Sequence, residues 1–251
     1  AILIASYTIF KVMEEEFNIN FQNFDFFAGH SLGEYTALVC SKSLKIEDAI
    51  YLLQERGRAM QKAVPVGQGS MIAVLGIDIE KIKELMKSTD LKKGICEIAN
   101  DNAIGQIIIS GDKKSVDLFQ TKLKELKIKT IPLKVSAPFH CSLMKPAAEV
   151  MREKINNINF DVPKKKIINN VTANEEKNSE KIKNLLVEQI YSSVKWRESL
   201  INMSKNRVEN FVDVGPGKVL SGMVKRTIKD AKTFSINSIA DINNFKNEFK
   251  K

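Results

Sequence analysis

Phe24-Asp25-Phe26-Phe27-Ala28-Gly29-His30-Ser31-Leu32-Gly33-Glu34-Tyr35 is the stretch that decides the fold. Phe24 to Ala28 is a short apolar run that ends at a glycine, the pattern of a buried strand. Glu34 to Cys40 reads as a helix with small residues on one face. Between them stands Gly29-x-Ser31-x-Gly33. A strand that turns sharply into a helix holds its middle residue in a strained conformation, with the Ser31 Oγ clear of the backbone. Gly29 and Gly33 are expected there because side chains would collide with the neighbouring strand and helix. The Leu32 amide and the helix N-terminus point at the place where an oxyanion would form. A plain glycine-rich βα turn is the bland reading of the same residues. The strand-turn-helix setting favours a nucleophile elbow.

Reading outward, Ile46, Ala49, Ile50, Leu53 and Gly57 mark a helix over 46–61, ended by turn chemistry in 64–69. Residues 66–136 have a rhythm of their own. Strand 70–76 is followed by a helix to Lys87 that Asp78 can cap. Strands 95–99 and 106–110 are joined by Asn100-Asp101-Asn102, read as a polar turn. Helix 113–126 and strand 130–135 complete a β-α-β-β-α-β order, the ferredoxin-like split pattern. Helices over 145–156, 181–191 and 218–229 alternate with strands over 166–171 and 210–214. The tail from Asn237 reads as polar and frayed. The fold class is α/β: a core with a mainly parallel sheet over 1–65 and 137–251, and an inserted ferredoxin-like subdomain over 66–136.

The 251 residues are 43% hydrophobic and 27% charged, a balance that builds a core. No apolar run reaches the roughly 18 residues needed to cross a bilayer, so no membrane role is expected. The opening from Ala1 to Phe10 is too short to span and lacks a basic lead, which argues against a signal peptide. It begins as a helix already under way, so residues are expected before it. Cys40, Cys96 and Cys141 are odd in number and show no metal-ligand spacing. Neither disulfides nor a metal is expected, and a reducing cytoplasmic setting fits. A plastid stroma is the alternative if the source is an AT-rich, plastid-bearing eukaryote. The net charge of +9 is either a lysine-rich solvated surface or a field that steers an acidic partner. Nucleic acid is disfavoured, because the lysines are spread and no aromatic residues alternate with a basic stripe.

A serine nucleophile needs a base. His30 and His140 are the only histidines. His30 adjoins Ser31 on the elbow, so its side chain points elsewhere and supports the site from behind. His140 lies in a loop after a strand and is the remaining candidate. Cys141 has no elbow, and a buried thiol is commonly inert. No acid follows in the order serine, acid, histidine. Asp213, at a strand end before Gly215-Pro216-Gly217, is a weak third member. A backbone carbonyl can orient an imidazole as well. Taken alone, Arg56 reads as a surface arginine of a helix and Phe139 as a core aromatic.

Several motifs together resemble the malonyl-CoA:acyl carrier protein transacylases. They are 29–35 (Gly-His-Ser-Leu-Gly-Glu-Tyr), 54–60 (Gln-Glu-Arg-Gly-Arg-Ala-Met), 139–147 (Phe-His-Cys-Ser-Leu-Met-Lys-Pro-Ala), 169–171, 189–191 and 214–220. The resemblance runs through essentially the whole chain, in order. It implies an α/β-hydrolase-like core with a ferredoxin-like insert. It implies Ser31 as the acyl-accepting serine, His140 as its base, the Gln189 backbone carbonyl as the group orienting His140, and the Leu32 amide as an oxyanion donor. Arg56 is implied as the grip on the free malonyl carboxylate, with Met60, Phe139 and His30 in the substrate-binding set. Arginine suits that task because its planar fork binds a carboxylate bidentately and lysine cannot copy it. The bulk of Phe139 should crowd substrates with an α-methyl branch. The implied reaction is ping-pong transfer of malonyl from malonyl-CoA to the phosphopantetheine thiol of an acidic acyl carrier protein, without a cofactor. The family's Gly-Gln-Gly-Ser-Gln loop, a source of a second oxyanion amide, would fall before Ala1. Gly67-Gln68-Gly69-Ser70 imitates it at another place in the chain. A serine esterase or thioesterase, and a non-catalytic module of this fold, are the alternatives.

Overall fold

A computed structural model of the chain describes residues 1–91 and 94–249. Helix α1 (Ile2–Glu15) turns Leu3, Phe10 and Met13 inward. Strand β1 (Phe26–Ala28) leads into α2 (Leu32–Cys40), and α3 (Ile46–Ala63) follows. On α3 the buried residues are Ala49, Leu52, Arg56, Ala59 and Met60. They form one apolar stripe at helical spacing, with a single arginine set into it.

The next stretch holds β2 (Gly69–Leu75), α4 (Ile79–Ser88), β3 (Cys96–Ala103), β4 (Gln106–Asp112), α5 (Lys113–Glu125) and β5 (Lys129–Pro132). The strands lie in the order β3-β4-β2-β5, every neighbour antiparallel. Asp78 and Asp112 cap the two helices by accepting from the amides of Lys81 and Ser115, worth about 1 kcal/mol each. Alternation along the strands splits the sheet's two faces. Ile72, Val74, Ile107 and Ile109 pack with Ile82, Phe119 and Leu123 of the helices. Met71, Ala73, Ala99 and Ile108 form a second layer against Leu133 and Phe139.

The chain then forms α6 (Lys145–Asn156), β6 (Lys166–Ile168), β7 (Glu175–Glu176), α7 (Ser179–Gln189), α8 (Trp196–Lys205), β8 (Asn210–Val214), α9 (Val219–Thr227), β9 (Lys232–Ile236) and α10 (Ile239–Phe249). β6 lies parallel to β1 and antiparallel to β7, while β8 and β9 form a parallel pair. The largest core cluster joins α2, α3, α6 and α7 through Leu38, Leu52, Met151, Ile155 and Leu186. No helix among the described residues is long and apolar enough to cross a membrane.

Two sequence expectations are corrected. Asn100-Asp101-Asn102 is not a turn: β3 runs through it to Ala103, and the reversal falls at Ile104-Gly105, where Gly105 takes φ 68°. All three residues are buried. Asp101 pairs with Arg197, Asn102 meets His30, and the backbone at Asn100 forms a β-bridge with Val194. The tail is not frayed either. Ile236, Ile242 and Phe245 join Phe10 and Phe21 in an apolar cluster, and α10 starts where Asp241 accepts from Ser238. Burying two such side chains contributes about 3–6 kcal/mol, more than fraying would recover. The tail's last two positions, 250 and 251, lie outside the described residues.

Candidate active site

Ser31 stands at the head of α2 with φ 52° and ψ −107°, a region that costs an L-residue roughly 1–3 kcal/mol and persists only when its surroundings enforce it. Asn170 supplies that enforcement. Its Oδ1 accepts from the Ser31 amide at 2.7 Å, and its Nδ2 donates to the Gly29 carbonyl at 2.8 Å. Gly29 is required by packing, since a Cβ there would lie 2.0 Å from the Gly33 carbonyl carbon and oxygen. Gly33 departs from expectation: a Cβ there meets nothing within 4 Å. The close approach is by its backbone, and only Gly29 must lack a side chain.

His140, 109 residues away, brings Nε2 to 2.8 Å from the Ser31 Oγ. Its Nδ1 lies 2.8 Å from the Gln189 backbone carbonyl. A carbonyl only accepts, so Nδ1 carries the hydrogen and Nε2 is left to receive the serine proton. His140 itself takes φ 57°. Burial, reinforced by the Arg56 charge, pushes its pKa down to about 3, so the free imidazole is neutral near pH 7.

Arg56 is not at the surface. It is 7% exposed, and its Nη2 donates to the Ser31 Oγ and to the Gln189 Oε1, both at 3.0 Å. Its Nε is buried without a partner. The Gln189 Nε2 donates to the Glu34 Oε2 at 2.8 Å and to the Ser31 carbonyl at 3.1 Å. Glu34 is wholly buried and also accepts from the Asn169 Nδ2 and the Asn170 amide. Burial drives its pKa up to about 7 against the pull of those N–H donors and Arg56.

The remaining expected residues fall around this centre. Leu32 is the first residue of α2, where amides have no intrahelical acceptor. Met60 is buried one turn beyond Arg56. Phe139 is half-buried and packs against both the main core and the layer under β2 and β4. The His30 Nε2 lies 2.8 Å from the Asn102 Oδ1, and the ring meets Trp196 edge-on. Cys141 is fully buried, its thiol donates to the Pro138 carbonyl, and burial pushes it up to about 11, so it is no rival nucleophile. The Asp213 carboxylate accepts from the Ser221 amide and hydroxyl. It closes a βα turn, while the Gln189 carbonyl takes the place beside His140. Gly69 packs against the Pro138 ring, and Gln68 makes backbone bonds with Pro65 and Lys113.

Sequence reasoning missed Glu34, Asn169, Asn170 and the side chain of Gln189 as parts of the site, although all four lie in the motifs that carried the resemblance. It also missed Glu97, whose carboxylate accepts from the Ser142 amide at 2.8 Å and hydroxyl at 2.6 Å, two residues beyond His140.

The family model described as "Acyl transferase domain" matches residues 21–249. The malonyl CoA-acyl carrier protein transacylase of Haemophilus influenzae is 41% identical over 244 residues, covering 97% of this chain and 77% of that protein. The crystal structure of the acyl-carrier-protein S-malonyltransferase of Bartonella henselae superposes with a TM-score of 0.94 at 37% identity, over 99% of this chain and 79% of that one. A malonyl-transacylase solved in complex with a type II PKS acyl-carrier protein gives a TM-score of 0.92 at 36% identity, over 96% and 77% of the two chains. A strained serine, a neutral histidine and a buried arginine thus sit in a chain whose fold and sequence agree with these relatives along nearly all its length, and the chain belongs to the malonyl CoA-acyl carrier protein transacylase family of acyl transferases.

Proposed function

We propose that the Ser31, His140 and Arg56 cluster carries malonyl from malonyl-CoA to the phosphopantetheine thiol of acyl carrier protein. The observation that carries this is a single oxygen, the Ser31 Oγ, within 2.8 Å of a neutral imidazole and 3.0 Å of a buried guanidinium. The Ser31 hydroxyl gives its proton to the His140 Nε2 and attacks the thioester carbon. The C–O bond forms, the C–S bond breaks, and the imidazolium returns the proton to the departing thiolate. The Gln189 carbonyl steadies the imidazolium through Nδ1–H. The Leu32 amide, at a helix N-terminus, faces the oxyanion. The carrier thiol then enters and gives its proton to His140; its sulfur attacks the ester carbon, the C–S bond forms, the C–O bond to Ser31 breaks, and the imidazolium returns the proton to the Ser31 oxygen.

Arg56 supplies the choice of acyl group. A malonyl carboxylate meets a buried cation, while an acetyl methyl meets the same cation with nothing to offer it. Phe139, beside His140, limits branching at the α-carbon. We assign 66–136 as a ferredoxin-like subdomain, and 1–65 with 137–251 as the acyltransferase core. A net charge of +9 suits an acidic carrier. Three free cysteines suit a reducing compartment, the cytoplasm or a plastid stroma.

Incubation with labelled malonyl-CoA tests the reading. A malonyl ester on Ser31 that is discharged by carrier thiol supports it. Rapid release of free malonate identifies a hydrolase instead. Ser31→Ala with undiminished transfer identifies a non-catalytic module.

A further inference from the structure

Gln189 occupies an unusual position. Its backbone carbonyl orients His140, while its side-chain amide lies between two buried side chains, Arg56 and Glu34. The direction of that amide is fixed by its neighbours. Oε1 faces the Arg56 Nη2, which can only donate. Nε2 faces the Glu34 carboxylate, the Ser31 carbonyl and the Asn170 Oδ1, which accept. Turned the other way, the amide would set donor against donor and acceptor against acceptor.

Glu34 is in turn held from behind. Asn169 donates Nδ2 to Glu34 at 2.5 Å, and its own Oδ1 accepts from the amides of Val171 and Thr172, so it cannot turn over. The Asn170 amide completes the cradle at 3.2 Å. No hydrogen bond or ion pair joins Glu34 to Arg56 directly.

We infer that Glu34 is a positioning residue for acyl-group selection: by fixing the Gln189 amide it aims the Arg56 guanidinium at the substrate carboxylate. The inference rests on the assignment of Arg56 as the malonyl clamp. Glu34 touches no reacting atom and acts through Gln189. A neutral amide between the Glu34 carboxyl and the guanidinium holds the guanidinium in place without neutralising it, so its charge stays available to the substrate.

The test compares malonyl-CoA with acetyl-CoA as acyl donors, using initial rates of acyl-enzyme formation and transfer to carrier protein. Glu34→Gln keeps the shape and turns one of the two accepting oxygens that fix the amides into a donor. The malonyl-to-acetyl ratio of kcat/KM should fall roughly tenfold, carried mainly by KM for malonyl-CoA. A purely structural role would lower both donors together and leave the ratio unmoved. If Glu34→Gln does not fold, Gln189→Met keeps the backbone carbonyl for His140 and breaks the same chain of contacts. It should lower the ratio by a similar factor. In the combined variant the two effects should not add, because they interrupt one path.

An unchanged ratio in whichever variant folds, or full additivity in the double variant, overturns the role of Glu34. Failure of the underlying assignment looks different. There the wild-type protein itself shows no preference for malonyl over acetyl, or forms no ester at Ser31.

Discussion

Replacing Arg56 by alanine tests the proposed carboxylate clamp. Arg56 is 7% exposed. A hydrogen bond to a charged group in such a place contributes about 1.5–3 kcal/mol. A two-pronged contact between arginine and carboxylate therefore contributes about 3–5 kcal/mol. Loss of it should lower kcat/KM for malonyl-CoA by roughly two to nearly four orders of magnitude. Acetyl-CoA should hold its rate or gain, since its methyl group gets nothing from the cation.

Two further consequences of Arg56→Ala act on both donors alike. The Ser31 Oγ loses the donor at 3.0 Å. His140 loses the second cause of its lowered pKa, while burial, the first cause, remains. Both effects cancel in the malonyl-to-acetyl ratio, which makes the ratio the clean readout. Labelled acyl-enzyme formation, measured with each donor at matched concentrations, provides it, and thermal unfolding confirms that the variant is folded. Arg56→Lys should fall between, because it keeps a charge and loses the fork. An equal fall for the two donors would refute the clamp, whatever its size.

Three other perturbations test the frame around the site. Gly29→Ala should destabilise the fold by about 1–3 kcal/mol or more and abolish acylation, because its Cβ would lie 2.0 Å from Gly33 backbone atoms; Gly33→Ala, with nothing within 4 Å, should match or exceed wild-type stability in urea titration, and the reverse order would refute the packing argument. Glu97→Ala should slow acylation by roughly tenfold in kcat with KM nearly unchanged, since it frees the Ser142 amide and hydroxyl beside His140; an altered KM with intact kcat would count against it. In pH-dependent stability, His140 is held neutral down to about 3, so its share is full above pH 6.5 and is lost as pH falls toward 3. Glu34 binds its proton up to about 7, so its share is full below pH 4.5 and is lost as pH rises toward 7. Glu34→Gln removes the second slope, and the stability difference should move in the variant's favour by at most about 3 kcal/mol between pH 4.5 and 7; no drift with pH would show that Glu34 is ionised throughout.

The elbow was legible because its signal is local. Two glycines, a serine and the change from strand to helix all lie within twelve residues, and each limits the backbone there. The β-α-β-β-α-β order was legible for a similar reason, since alternation and capping aspartates act over a few positions. Asn100-Asp101-Asn102 was misread by the same logic. Three polar residues in a row look like a turn until their partners are seen, and those partners are at His30, Val194 and Arg197. A buried polar strand has no local mark that separates it from a loop. The C-terminal helix had its mark, in Ile239, Ile242 and Phe245 at spacings of three, but the surrounding asparagines and lysines concealed it.

Glu34 and the Gln189 side chain were invisible for a deeper reason. A glutamate in the first turn of a helix is ordinarily explained by the helix dipole alone, and nothing local shows that this one is buried. Its partners lie 135 and 155 residues away. Burying a carboxylate costs several kcal/mol unless donors surround it, and the donors here come from the turn after β6 and the end of α7. Those two segments also carry Asn170, which pins the elbow, and the Gln189 carbonyl, which orients the base. The segments whose donors make the buried carboxyl tolerable therefore also hold Ser31, His140 and Arg56 in register. Loss of Glu34 should be felt first as a change in which acyl group is chosen, since the backbone bonds to Ser31 and His140 survive it and the aim of Arg56 does not.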